Sequence, residues 1–258
     1  MSKIQGVYKV VSNDNLCKRF KRLVFDAPNI VKSVKPGQFV HIRTSDGFEP
    51  FFRRPFSVYQ AKKYVEVFYE IVGPGTQLMG AMKKGDDIDV IGAVGSTFTI
   101  PTKKTKQVVM VAGGIGVAPF AMFADVLRKK NKDVEMILLY GGRTKEHVYP
   151  MKEFKANGVK VHVATDDGSV GVKGRVSKLF DKIDFNEEAT RIYTCGPHPM
   201  MHAVQTLAKE HNLKGEAACE EVMACALGAC LGCAIETTEG YKTVCYDGPV
   251  FDLQTIVF

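Results

Sequence analysis

Seven cysteines occur in the 258 residues, and four of them, Cys225, Cys230, Cys233 and Cys245, follow the order C-x4-C-x2-C, eleven residues, C. Thiolates at this spacing hold a plant-type [2Fe–2S] cluster, three from one loop and the fourth from a later strand. Between the first three sulfurs stand only small or apolar residues, Ala226-Leu227-Gly228-Ala229 and Leu231-Gly232. Small residues let backbone N–H groups approach the cluster and tune its potential. A structural zinc site is the competing reading, but zinc ligands come mostly as two short Cys pairs, and Cys245 stands alone. Because no apolar signal segment opens the chain, a cytoplasmic setting is expected, in which thiols stay reduced. Cys17, Cys195 and Cys219 fit no second site. A cluster moves single electrons, so other residues must feed or drain it.

Two further groups of residues suit nucleotide chemistry. The turn Gly113-Gly114-Ile115-Gly116-Val117-Ala118-Pro119 lets backbone approach a pyrophosphate at a helix start, although it is not a G-x-G-x-x-G fingerprint. Gly141-Gly142-Arg143-Thr144, Thr165-Asp166-Asp167-Gly168-Ser169 and Cys195-Gly196-Pro197 are comparable turns, each placed after an apolar run. Nearer the N-terminus, Arg53-Arg54-Pro55-Phe56-Ser57 offers a guanidinium fork for a diphosphate and a hydroxyl for a flavin ring edge. Gly73-Pro74-Gly75-Thr76 could donate N–H groups to the same phosphates. His198 and His202, four apart on an expected helix, are read as a solvated face and not a metal pair.

These groups must be carried by different architectures. Runs at 7–11, 20–25, 38–44, 55–60 and 65–72 are rich in Val, Ile and aromatics, with turns at Asn13-Asp14-Asn15, Pro36-Gly37, Asp46-Gly47 and Gly73-Pro74-Gly75. Short strands at this spacing predict a small antiparallel barrel. After residue 100 the pattern alternates: strands at 108–112, 136–140, 159–164 and 191–194, helices at 117–130, 146–157, 174–182 and 199–212. That alternation predicts a doubly wound parallel sheet, whose ligands lie beyond the strand ends at a switch point. The expected fold is therefore multi-domain, β plus α/β: an N-terminal antiparallel β-barrel over 1–100, a doubly wound α/β domain over 101–214, and a small C-terminal cluster module over 215–258.

Charge divides along the same line. The net charge is +7, but from Gly215 onward seven acids face one lysine, so the module carries −6 and the preceding residues +13. An acidic module on a basic body suits docking to a protein partner, and a hydrophobic edge at Leu227, Leu231 and Phe251 points the same way. Scattered basic residues without a recognition motif argue against nucleic acid, and no apolar run is long enough to span a membrane.

Taken together, Pro36-Gly37-Gln38-Phe39-Val40, Arg54-Pro55-Phe56-Ser57, Gly73-x-Gly75-Thr76-x-Leu78, the 113–119 turn and Cys195-Gly196-Pro197-x-Pro199-Met200 resemble the ferredoxin–NADP reductase superfamily. With the cysteine loop and Cys245-x-Asp247-Gly248-Pro249-Val250-Phe251, the chain is similar over its whole length to one branch. That branch comprises the electron-transfer subunits of NAD-dependent (class 1B) dihydroorotate dehydrogenases, which serve pyrimidine biosynthesis. The resemblance implies FAD in the barrel, NAD(H) at the sheet, a [2Fe–2S] cluster, and a partner subunit carrying FMN, in a heterotetramer of two copies of each chain. Carried over, Arg54 with Pro55, Phe56 and Ser57 would hold the flavin. Ile71, Val72 and Gly73 would run beside its ribityl chain, and Gly75 and Thr76 would hold phosphate. Gly113, Gly114 and Gly116 would bracket the nicotinamide end of NAD together with Cys195, Gly196 and Pro197. Electrons would pass from the partner's FMN through the cluster and FAD to NAD+, with no catalytic acid or base required here. Small subunits of ferredoxin–NADP oxidoreductase or sulfide dehydrogenase type share this cofactor set, and a zinc-stabilised nucleotide-binding regulator is the reading from another class. Two departures stand out: the branch usually has Arg where Val222 stands and Gly where Ala226 stands. Arg143 leaves NAD and NADP both open, as packing and nicotinamide contact remain open for Cys195.

Overall fold

The computed structural model describes residues 4–45, 47–149 and 152–258. Strands β1 (Ile4–Asn15), β2 (Phe20–Asp26), β3 (Phe39–Ile42), β4 (Arg54–Ala61), β5 (Val65–Glu70) and β6 (Asp87–Val94) close into an antiparallel barrel in the order β1-β2-β5-β4-β3-β6. On β5, Val65, Val67 and Tyr69 fill the barrel core. Phe68 is buried too, because the opposite face packs against the second domain, with its ring 5.0 Å from that of Tyr149. Strand β6 was not expected, since acids and Gly92 interrupt its apolar run. The first hundred residues also hold two short helices, α1 (Pro28–Ser33) and α2 (Pro74–Ala81). At α2 the Gly73-Pro74-Gly75 run is a helix start and not an isolated turn: Pro74 suits the first position, and the Thr76 hydroxyl accepts from the Gly73 N–H at 3.2 Å. Asp46, in one expected turn, lies outside the described residues.

Strands β7 (Gln107–Gly113), β8 (Glu135–Gly142), β9 (Lys160–Thr165), β10 (Val172–Lys173), β11 (Thr190–Cys195), β12 (Lys214–Ala218) and β15 (Val250–Asp252) form a sheet in the order β10-β9-β8-β7-β11-β12-β15. Their pairs are parallel except at the edge, where β15 runs antiparallel to β12. The sheet is therefore not purely parallel, and a division between residues 214 and 215 falls inside the strand β12. The order reverses between β7 and β11, which makes the space beyond their C-terminal ends the switch point. Helices α3 (Ala118–Lys130) and α5 (His198–Glu210) stand where expected. The stretches expected as helices at 146–157 and 174–182 are shorter and tighter. They contain a 3-10 turn at Lys145–His147, α4 (Lys152–Ala156) and a 3-10 turn at Val176–Lys182, whose Val176 and Leu179 share one buried face.

Between β12 and β15 lie the cysteine loop and a hairpin of β13 (Ala234–Thr237) and β14 (Gly240–Thr243). One continuous core unites Phe39 and Val94 of the barrel with sheet residues and with Met223, Ala226, Cys233 and Cys245. The cluster segment is thus packed against both domains.

Candidate functional site

The hairpin register places Ala234 opposite Thr243, and the Val244 N–H donates to the Cys233 carbonyl at 2.9 Å. Cys233 and Cys245 are thereby held side by side, both buried, while Cys225 is half-buried and Cys230 exposed. Backbone N–H groups already point at the sulfurs: Leu227 donates to Cys225 Sγ at 3.3 Å and Cys245 to Cys233 Sγ at 3.4 Å. Burial resists ionisation of Cys225, but backbone donors at Leu227, Cys230 and Ala229 outweigh it and hold the thiol down at about 6. Cys245 lies the other way, pushed up to about 12 by burial and by the neighbouring Cys233. The loop bends through left-handed backbone at Ala226 (φ 54°), Gly228 (φ 83°) and Leu231 (φ 58°). A Cβ on Gly228 would stand 3.0 Å from that of Tyr246. A donor set of four thiols ringed by aimed N–H groups fits an iron–sulfur cluster. Among the described residues, no three His, Cys, Asp or Glu side chains are arranged to hold a single metal ion. A two-iron cluster makes no such demand, since each iron takes two of the thiolates.

A cavity of about 820 Å³ opens between the barrel and the cluster segment. Arg54, Pro55, Phe56 and Ser57 form one wall, and Cys219 to Met223 another. Thr44 supplies a buried hydroxyl oxygen with no hydrogen-bond partner. A Cβ on Gly75 would stand 3.1 Å from that oxygen and 3.3 Å from Arg54 Nε. Thr44, Arg54 and the start of α2 at Gly75 therefore converge, and an orphan hydroxyl beside a guanidinium and a helix N-terminus fits a flavin diphosphate. Arg53 is not available for that task, because it is committed to Asp89 at 2.5 Å.

The second cavity, about 680 Å³, lies at the switch point, lined by Gly113, Gly114, Gly141, Gly142, Gly196 and Pro197 among others. Gly114 (φ 53°) faces open space, so a ligand can approach its backbone directly. Gly116 serves packing instead, since a Cβ there would meet the Cys195 carbonyl oxygen at 2.3 Å. Glu70, Val72, Ile115 and Glu220 line both cavities, which therefore adjoin.

The residues expected at the flavin divide accordingly. Arg54, Pro55, Phe56, Ser57, Val72 and Thr76 line the larger cavity, and Gly75 backs it. Ile71 and Gly73 line neither; Ile71 points at α2, where a Cβ on Gly80 would meet its Cδ1 at 2.8 Å. Of those expected at the nicotinamide, Gly113, Gly114, Gly196 and Pro197 line the smaller cavity, whereas buried Cys195 faces the larger. Sequence reasoning missed Thr44, for which no local signal exists, and Glu220, which counted only as charge. Glu220 is exposed to the two cavities, and its Oε1 lies 3.9 Å from Cys195 Sγ. His198 and His202 both pack on the Phe258 ring, edge-on at 6.1 Å and stacked at 5.7 Å, and His198 also pairs with Glu221 at 3.4 Å.

Known proteins carry the same plan. Residues 220–257 match the iron-sulfur cluster binding domain of dihydroorotate dehydrogenase B, and residues 110–206 match the oxidoreductase NAD-binding domain. The dihydroorotate dehydrogenase B (NAD(+)) electron transfer subunit of Desulforamulus reducens is 34% identical over 100% of this chain and 97% of its own length. The corresponding subunit of Fusobacterium nucleatum is 38% identical over 86% of this chain and 87% of its own. This chain belongs to that family. Among solved structures, a chain of an NADH-dependent reduced ferredoxin-NADP oxidoreductase superposes with a TM-score of 0.84 at 26% identity, covering 98% of this chain and 90% of that one. The cytochrome b5 reductase domain of Ulva prolifera nitrate reductase shares the fold at 18% identity, with a TM-score of 0.69 over 81% and 94%. No helix among the described residues is long and apolar enough to cross a membrane.

Proposed function

We propose that this chain passes electrons from a dihydroorotate dehydrogenase catalytic subunit to NAD+, using a [2Fe–2S] cluster and FAD. The observation that carries this reading is the pair of adjoining cavities, one closed by the stem of the cysteine loop and the other opening on the switch point. Bound FAD supplies the conversion between the cluster's single electrons and the two that nicotinamide takes together as a hydride.

The chain's own residues bind, orient and shield. Cys225, Cys230, Cys233 and Cys245 hold the cluster. Arg54, Gly75, Thr76 and Thr44 take the flavin diphosphate, while Phe56, Ser57 and Val72 set the ring and its sugar-derived chain. Gly113, Gly114, Gly196 and Pro197 seat the nicotinamide half of NAD, against the wall that Ile115 and Glu220 share with the flavin cavity. No residue acts as general base, because the chemistry on dihydroorotate belongs to the partner. That partner carries FMN, and the assembly is a heterotetramer of two copies of each chain. Leu227 and Leu231, 47% and 64% exposed beside the cysteines, suit its docking face; Phe251 suits it less, being half-buried and packed against the core.

Anaerobic purification with iron, sulfide and flavin assays tests the reading. About two irons and two sulfides are expected per chain, with one FAD. NADH oxidation with artificial acceptors should proceed in the isolated chain, and dihydroorotate oxidation only with the partner. Zinc in place of iron, or dihydroorotate turnover by this chain alone, would overturn it.

A further inference from the structure

Side chains on β3 alternate between two cores. Val40 and Ile42 enter the barrel, whereas Phe39 belongs to the core that holds Met223, Cys233 and Cys245. His41 shares the face of Phe39, so it points out of the barrel toward the cluster segment, and it is fully buried. Neither Nδ1 nor Nε2 completes a hydrogen bond. Two backbone groups lie beside the ring, one in Arg53 ahead of β4 and one in Met223, two residues before Cys225. Both act as acceptors, because both raise the ring's proton affinity. Burial, with the Arg53 and Arg54 charges, outweighs them and holds His41 at about 4. The buried imidazole is therefore neutral and has one N–H to offer to either side. A leucine would fill this space without leaving buried polar atoms unpaired, so packing gives no reason for histidine here.

We propose that His41 is a positioning residue whose imidazole, wedged between Arg53 of the flavin segment and Met223 of the loop stem, fixes how the cluster loop sits on the flavin-bearing strands. The inference rests on the function proposed above, although the contact itself involves only the chain. Strand β3 is the direct neighbour of β4, with Phe39 opposite Ser57 and His41 opposite Pro55. A loop seated through His41 is thus referred to the same backbone that carries Arg54, Phe56 and Ser57. Electron transfer falls steeply with separation, so a loose seat slows it without altering either redox centre.

The test compares wild type, His41→Leu and His41→Gln as full chains loaded with FAD, iron and sulfide, by two readouts. In stopped flow, His41→Leu should leave flavin reduction by NADH unchanged and slow electron passage from flavin to cluster about tenfold, the scale of outer-shell losses at metal sites. Hydrogen exchange should accelerate selectively over residues 220–231. His41→Gln, which keeps a donor and an acceptor, should stay near wild type in both. Should His41→Leu fail to fold, His41→Asn, polar but short, takes its place under the same criteria. Wild-type behaviour in both readouts overturns the proposal, as does exchange rising equally across the barrel, which marks a plain loss of stability. If the wild-type chain takes up neither iron nor flavin, the functional reading falls, while exchange over 220–231 still decides the role of His41.

Discussion

The flavin cavity and the cysteine loop solve the same problem, holding a redox group, by opposite means. The cavity is assembled from distant segments: Arg54 opening β4, Thr76 in α2 and the 219–223 stem, with Thr44 and Gly75 packed behind Arg54. Arg54 lies on a strand and Gly75 in a helix, while Thr44 and the stem follow the strands β3 and β12. The loop draws all four ligands from 21 consecutive residues, and those from Cys225 to Cys233 have no regular secondary structure. Its order comes from N–H groups aimed at sulfur and from left-handed turns. One site gathers distant segments, whereas the other is a contiguous stretch seated on the shared core.

Ligand removal should break the comparison most sharply. Cys233→Ser or Cys245→Ser is expected to abolish cluster iron and sulfide while leaving FAD content intact; parallel loss of flavin would show that the cavity, too, depends on the cluster. Acid should act next, at the seam between the sites. His41 is held at about 4, below its ordinary 6.5, so the unfolded chain takes up the proton first. Its contribution is complete above about pH 6.5 and drains away as pH falls toward 4, a loss on the order of 3 kcal/mol. Denaturant melts of wild type and His41→Gln across that range should differ by this slope.

Arg54→Ala is the converse of the cysteine variants. Removing a charge-assisted contact worth about 1.5–3 kcal/mol should weaken FAD binding roughly tenfold to hundredfold, read by flavin titration, with iron unchanged. The smallest effect sharpens the loop side alone. Ala226 adopts φ 54°, where a side chain costs about 1–2 kcal/mol, so Ala226→Gly should slow iron loss to a chelator without moving flavin affinity.

The same contrast explains what the sequence could disclose. Cysteine spacing is itself the chemistry of a cluster, so that site was legible from one stretch of chain. The Arg54–Ser57 segment was legible as a motif, whereas the role proposed for Thr44 rests on folding that brings it to Gly75 and Arg54. Likewise Glu220 looked like surface charge until β12 carried it between two cavities. Ala226 was read as an added methyl group, whereas its backbone angle is the physical issue. Strand β6 escaped because acids and a glycine dilute its apolar pattern, and the division expected between residues 214 and 215 falls inside β12 because β12 and β15 are too short to announce a sheet.

The cysteine loop and hairpin leave the sheet at β12 and return to it at β15, and Gln205 of α5 donates to the Leu253 and Ile256 carbonyls at 2.7 and 2.8 Å. The redox segment is therefore clamped at both ends, like a bracket bolted to a wall, and not hung on a tether. An electron carrier on a flexible arm must swing, and its rate follows solvent viscosity. Here nothing has to travel between flavin and cluster, so internal transfer should be indifferent to added glycerol, leaving diffusion to the partner and the nucleotide.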